Sequence, residues 1–233
     1  MLRHEGGENQ EELRRQERTK AWNERLETIG RIRDALGFPV DETIREPVAA
    51  LHCFGIPTSA SCEGHLDRGK AAPWIKIEGP NQPRDRFTGQ SAIFAATAEK
   101  YHISEDDVRT ARSWEAWKEA TGLAAVNEET SDYHIWRKEN EALQVKLAAL
   151  LAEFYRDRVA SPSLHLEIEP DPEGTARLHN GGDDYKVRHL SLSEDERQDL
   201  AGRLVEYQTE MKEFADFLKE KYVSSQDVET AVE

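Results

Sequence analysis

The 233-residue chain is predicted to be an α+β protein. Its antiparallel sheet would come from two strand pairs, at about 58–78 and 163–190, with helices packed on it and a helical insertion at about 88–128. Three observations lead there. Trp74 to Glu78 and Ser163 to Glu169 alternate apolar and polar residues, the period of a half-buried strand. Turn signals follow these runs, Gly79-Pro80-Asn81 after the first and Pro170-Asp171-Pro172-Glu173-Gly174 after the second. Around them lie amphipathic stretches with apolar residues three and four apart, which strands joined by turns bury as one helical layer.

Taken in order, residues 8–36 form a helix with a stripe of Leu13, Trp22, Leu26, Ile29, Ile32 and Leu36, stopped by Gly37. Its eight basic and eight acidic residues within positions 1–37 cancel. Residues 41–54 make a shorter helix, capped by Asp41, with Ile44, Val48, Leu51 and Phe54 on one face; Pro47 sits in its first turn or kinks it. The segment 55–69 is small and loop-rich. Trp74 to Glu78 is a strand that puts Ile75 and Ile77 on one face. Residues 91–121 read as two helices. Ser104 with Asp107 caps the second as a capping box, and Trp114 and Trp117 share a face expected in the core. A long helix over 129–158 buries Leu143, Leu147, Leu150, Leu151 and Phe154. After it, 163–169 is a strand with His165, Glu167 and Glu169 on one face. Residues 175–180 close a hairpin, and 185–190 offer a further strand. Ser193 with Glu196 caps the last helix, whose stripe is Leu200, Leu204, Tyr207, Met211, Phe214 and Leu218. The organisation expected is an N-terminal helix (1–37), one domain over 38–222 and a flexible acidic tail over 223–233.

Charge and composition exclude several functions. The net charge is −15, which argues against a nucleic-acid partner, because phosphate affinity comes from clustered Lys and Arg. No run approaches about 20 apolar residues, so no membrane span is expected. The start, MLRHEGGENQ, lacks the apolar stretch of a secretory signal. Two cysteines make no disulfide framework, so a cytoplasmic protein is expected. No Walker loop, G-x-G-x-x-G, H-E-x-x-H or G-x-S-x-G occurs.

The densest polar constellation is Thr58-Ser59-Ala60-Ser61-Cys62-Glu63-Gly64-His65. Cys62, Glu63 and His65 are the catalytic candidates: a nucleophile, an acid/base and an imidazole within four residues. Thr58, Ser61 and Trp74 are candidates for ligand binding. Three chemistries fit. Cys62 and His65 have the C-x-x-H spacing of half a zinc site. A Cys nucleophile needs a base and a lowered pKa. Alternatively, a divalent metal takes mixed ligands, with His65 joined by His165 and Glu167 if their strand face meets this loop. The bland alternatives are a capped loop with a buried cysteine and a solvated strand face. His52 and Cys53 read as packing residues, while His179 and His189 have no evident partner.

At this loop the chain resembles the methyltransferases that act in wybutosine synthesis on tRNA. In that family a helix leads into a Thr-Ser-Ser-Cys-Ser-Gly-Arg type of loop, followed by a strand containing Trp. The matching stretch here runs from Val48 through Thr58-Ser59-Ala60-Ser61-Cys62-Glu63-Gly64-His65 to Trp74-Ile75, about 30 residues. Glu63 stands where the family has a small polar residue, and His65 where it has a basic one. The resemblance implies a related α+β scaffold with a ligand site at the loop; S-adenosylmethionine and tRNA do not carry over.

Two functions follow as alternatives. One is an enzyme or ligand-binding domain acting on a small molecule or peptide at the 61–65 loop, with or without a metal. The other is a non-catalytic acidic protein that binds a basic partner through its terminal helices, residues 193–233 carrying twelve acids against five bases.

Overall fold

A computed structural model describes residues 5–34, 36–186 and 193–224. His189, residues 187–190 of the expected fourth strand and residues 225–233 of the expected acidic tail lie outside them, while residues 223–224 belong to the last helix. The elements run α1 (Glu5–Arg31), α2 (Glu42–Cys53), β1 (Thr58–Cys62), β2 (Trp74–Ile77), α3 (Gln90–Tyr101), α4 (Glu105–Arg109), α5 (Trp114–Ala124), α6 (Ser131–Phe154), β3 (Leu166–Pro170), β4 (Ala176–Asn180), a 3-10 turn (Asp184–Lys186) and α7 (Glu194–Ser224). The fold is α+β. Its four strands form one antiparallel sheet in the order β1-β2-β4-β3, with helices packed against it.

Two compact units divide the chain: residues 1–79 with 140–233, and residues 80–139. In the first, the alternation of β2 buries Ile75 and Ile77, and Leu178 of β4 and Leu166 of β3 join them. Over this face pack Ile44, Val48 and Leu51 of α2, Leu147, Leu151 and Phe154 of α6, and Met211, Phe214 and Leu218 of α7. α1 adds Trp22 and Ile29, so the N-terminal helix belongs to the same core. Burying each such side chain contributes roughly 1.5–3 kcal/mol. The stripes of α6 and α7 are those the sequence predicts.

Several local expectations change. The apolar stripe of α1 ends early: the helix stops at Arg31, and Ile32 and Leu36 are exposed, as is Leu13. The reason is a competing turn. The Asp34 carboxylate accepts the N–H groups of Leu36 and Phe38, at 2.9 and 2.8 Å, and the Asp34 N–H donates to Phe38 C=O. Asp side chains offer the backbone this alternative to a helix. Pro47 lies in the second turn of α2, fully inside the helix. Within the loop-rich 55–69 segment, Thr58–Cys62 is strand β1, which with β2 makes the strand pair expected at 58–78; the turn begins only at Glu63. β3 starts at Leu166, because Ser161 C=O accepts the N–H groups of both Leu164 and His165. Tyr185 and Lys186 belong to the 3-10 turn, not to a strand.

In the second unit three helices replace the two expected. The Ser104 hydroxyl accepts the Asp107 N–H at 3.1 Å, as the capping box predicts. The tryptophan pair is not core, however. Ala116, Ala120 and Ala124 form the buried face of α5, because small residues let α3 approach closely. Trp114 is 61% exposed and stacks on Trp117 with ring centres 4.8 Å apart.

One polar link ties α6, α7 and β3 together. The Tyr155 hydroxyl donates to Glu210 Oε1 (2.9 Å) and accepts the Leu166 N–H (2.8 Å). Burial, and then Glu210, raise its pKa far above the usual range, so the phenol stays protonated. Tyr155→Phe removes both bonds while keeping the ring. We expect a loss of about 1–3 kcal/mol in urea unfolding, the cost of orphaning buried polar groups. An unchanged midpoint refutes this.

Candidate metal centre and cleft

The 58–65 segment is fixed from both sides. β1 pairs with β2, with Cys62 opposite Trp74. Past it the chain turns at Gly64, at φ +82°. The His65 N–H donates to Lys70 C=O (2.7 Å), closing the next turn. Helix α7 holds the turn from outside. Gln208 Nε2 donates to Glu63 C=O (2.9 Å) and Arg197 Nη1 to Leu66 C=O (3.1 Å).

Asp41, Cys62 and His65 converge here, each offering one ligand atom within 4.8 Å of the others. Among the described residues they are the one such cluster. His65 Nε2 lies 3.2 Å from Asp41 Oδ2, and its Nδ1 faces Glu63 Oε1 at 4.0 Å. Zinc bonds of about 2.0–2.3 Å place tetrahedral ligands roughly 3.5 Å apart, so the group needs to contract by only about 1 Å. A carboxylate beside the outer ring nitrogen is the usual support of a ligating histidine.

Asp41 was expected to cap α2. It occupies that position but makes no side-chain cap bond. Glu63 caps the helix instead: the Thr43 N–H and hydroxyl both donate to Glu63 Oε2, at 3.0 and 2.8 Å. Asp41 Oδ2 is left to accept the Glu63 N–H (3.2 Å) and to face His65. Glu63, predicted as acid/base, is therefore tied down at a helix N-terminus, where a negative charge is favoured.

Burial pushes the Cys62 thiol upward, and Asp41 and Glu63 add to the shift. The N–H groups of Gly64 and Lys70 oppose it. The free thiol is thus protonated at neutral pH, the wrong state for a nucleophile. A bound cation reverses this, because a coordinated thiol loses its proton.

A cleft of about 830 Å³ opens between the 32–41 segment and β1. Asp41 and His65 line it, as do Thr58, Ser59, Ala60, Ser61 and His52. Ile32, Phe38 and Val40 supply its apolar wall. Thr58 and Ser61, the predicted ligand-binding residues, are thus both part of its lining. Thr58 Oγ1 sits 3.0 Å from His52 Nε2, which ties α2 to β1. Burial, then Arg25, pulls the His52 pKa down. Cys53 packs against the core, and burial raises its thiol to about 11.

Three predicted site residues are not gathered here. Trp74 does not wall the cleft; it stands on the face away from the core, under Arg177 at 4.9 Å. His165 and Glu167 belong to the β3 end of the sheet, which has β2 and β4 between it and β1, roughly 14 Å in all. His165 stacks on Tyr155, and Glu167 is exposed. Their strand face does not meet the 58–65 segment, so the expected His65–His165–Glu167 set is replaced by Asp41, Cys62 and His65. His179, without evident partner in the sequence, is buried, stacks on Tyr185 and approaches Asn180 C=O through Nδ1 at 2.7 Å.

Sequence reasoning missed Asp41 as a donor. Only its place just before a helix was visible, and that pointed to a cap. No helix among the described residues is long and apolar enough to cross a membrane. Comparison with protein-family profiles, curated proteins and solved structures finds no match to this chain, so the site's chemistry is argued from its own residues.

Proposed function

We propose that Asp41, Cys62 and His65 bind a zinc ion, and that the protein is a metal-dependent enzyme acting on a ligand held in the adjoining cleft. The observation that carries this is the convergence of one carboxylate, one thiol and one imidazole within 4.8 Å, two of them walling the cleft. Mixed sulfur, nitrogen and oxygen donors suit zinc better than magnesium or calcium, which take oxygen ligands. Three protein donors leave a fourth position for water or substrate, the mark of catalytic rather than structural zinc. Zinc there lowers the pKa of bound water to about 7 and polarises a carbonyl. The neutral His52 and the Thr58 hydroxyl line the same cleft and are placed to orient a polar group of the ligand.

Metal content after purification and zinc titration tests the proposal. We expect close to one zinc per wild-type chain, and a drop of about 10-fold or more in affinity in Asp41→Asn, Cys62→Ser and His65→Ala. Glu63→Gln keeps most of the zinc, because that side chain caps α2. Wild-type protein that takes up no zinc, or mutants that hold it as tightly, overturns the proposal.

A further inference from the structure

We infer that the cleft's ligand is the carboxyl-terminal segment of a polypeptide, bound in extended form along β1 as a fifth strand. This rests on the metal-site proposal for one end of the ligand only.

The cleft's lining carries the inference. Successive side chains of a strand point to opposite faces, so a pocket over one face touches every second residue. Here four consecutive residues, Thr58, Ser59, Ala60 and Ser61, line the cleft; a bulge breaks the alternation between Thr58 and Ala60, but Ala60 and Ser61 keep regular register with β2 and still line it together. A cleft lined in this way runs beside the strand's edge, where the backbone itself is presented. β1 is the terminal strand of the sheet, and among the described residues no strand pairs with its outer side. Ser59 and Ala60 are exposed. An open edge of this kind is a template for an added strand, with main-chain hydrogen bonds supplying affinity and side-chain pockets supplying selectivity.

Dimensions and charge select the occupant. β1 has five residues, which span about 13 Å and match about four residues of extended peptide. Ile32 and Phe38 offer an apolar wall for one of its side chains, and both are exposed to solvent without a ligand. At the far end of β1, past Cys62, stands Arg68. Its side chain is 64% exposed and its nearest carboxylate, Asp41, is 3.9 Å away. With Asp41 and Cys62 committed to the zinc ion and Glu63 to the N-terminus of α2, Arg68 is left as a cation facing that end of the cleft. A terminal carboxylate complements it, with one oxygen towards the open metal position.

The test is hydrogen exchange on zinc-loaded full-length protein with a panel of acetylated tetrapeptides. These alternate Thr with an apolar residue chosen from Val, Leu, Phe and Met, and end in a free carboxylate. Peptides with the same sequences, amidated at the C-terminus or N-methylated at alternate amides, serve as comparisons. We expect the free acids to slow exchange in Thr58–Cys62 about tenfold, the amides to act more weakly, and the N-methylated series to have no effect. If no free acid protects Thr58–Cys62, or protection is confined to residues 32–40, strand addition is wrong. If amides protect as well as acids, the terminal carboxylate is wrong. Cys62→Ser separates this from the metal-site proposal: protection of β1 that survives there without bound zinc keeps strand addition and removes the metal's part in it.

Discussion

Gly64→Ala is expected to be among the most damaging single-methyl changes in the protein, a loss of about 2–5 kcal/mol. Two independent causes add. Gly64 sits at φ +82°, where an L side chain costs roughly 1–2 kcal/mol. A Cβ there would also lie 2.6 Å from Leu204 Cδ1, 2.9 Å from the Ala72 carbonyl carbon and 3.0 Å from Pro73 N. Leu204 can rotate away, but the backbone of 72–73 cannot, and such overpacking costs about 1–3 kcal/mol. Because Gly64 lies between Cys62 and His65, any relief of that clash also moves two of the proposed metal donors. Gly69→Ala is the control. It too has positive φ, at +62°, yet nothing lies within 4 Å of its Cβ position. It should lose only the conformational part, about 1–2 kcal/mol. Chemical denaturation of both variants reads the difference directly. Equal losses would mean that the close packing around Gly64 yields freely.

Zinc should reverse the pH dependence of stability, and by a large amount. In the metal-free chain burial raises the Cys62 pKa above its unfolded value. The unfolded thiol then loses its proton first as pH rises, so this contribution is present below the unfolded pKa and fades above it. With zinc bound the sign changes. The folded chain carries a thiolate while the unfolded chain carries a thiol, so at neutral pH the unfolded state holds the extra proton and stability rises with pH. One proton released per zinc makes the affinity rise about tenfold for each unit of pH, or about 1.4 kcal/mol. At a free zinc concentration of 1,000 times Kd the ion adds about 4 kcal/mol. Thermal scans between pH 6 and 8, with zinc and with a chelator, should diverge as pH rises. Parallel curves in Cys62→Ser and diverging curves in wild type place the released proton on this thiol. Parallel curves in both refute it.

The parts of this protein that local chemistry controls were legible in its sequence. Trp74 to Ile77 alternates, and its alternate residues are indeed the buried ones. Ser104 and Ser193 cap their helices as the three-residue spacing to Asp107 and Glu196 predicts. The stripes of α6 and α7 fill the core. The dense Cys62-Glu63-Gly64-His65 run holds two of the three residues of the proposed metal-binding group. Where a local pattern misled, a stronger local or packing effect had intervened. Asp34 ended α1 before Gly37, and the alanines of α5 turned inward in place of Trp114.

The tertiary structure alone decided which groups meet. Asp41 and His65 are 24 residues apart, and no spacing rule relates them. Glu63 takes over the N-terminus of α2 from a distant turn, and that frees the Asp41 carboxylate for His65. Strand order is equally non-local. The same alternation that exposes Glu167 is compatible with β3 on either edge of the sheet, and only the β1-β2-β4-β3 order carries it away from Cys62. Periodicity fixes which side of an element is buried, because burial depends on residues a few positions apart. Ligand sets and sheet edges depend on which elements become neighbours, and that is set by the packing of the whole core.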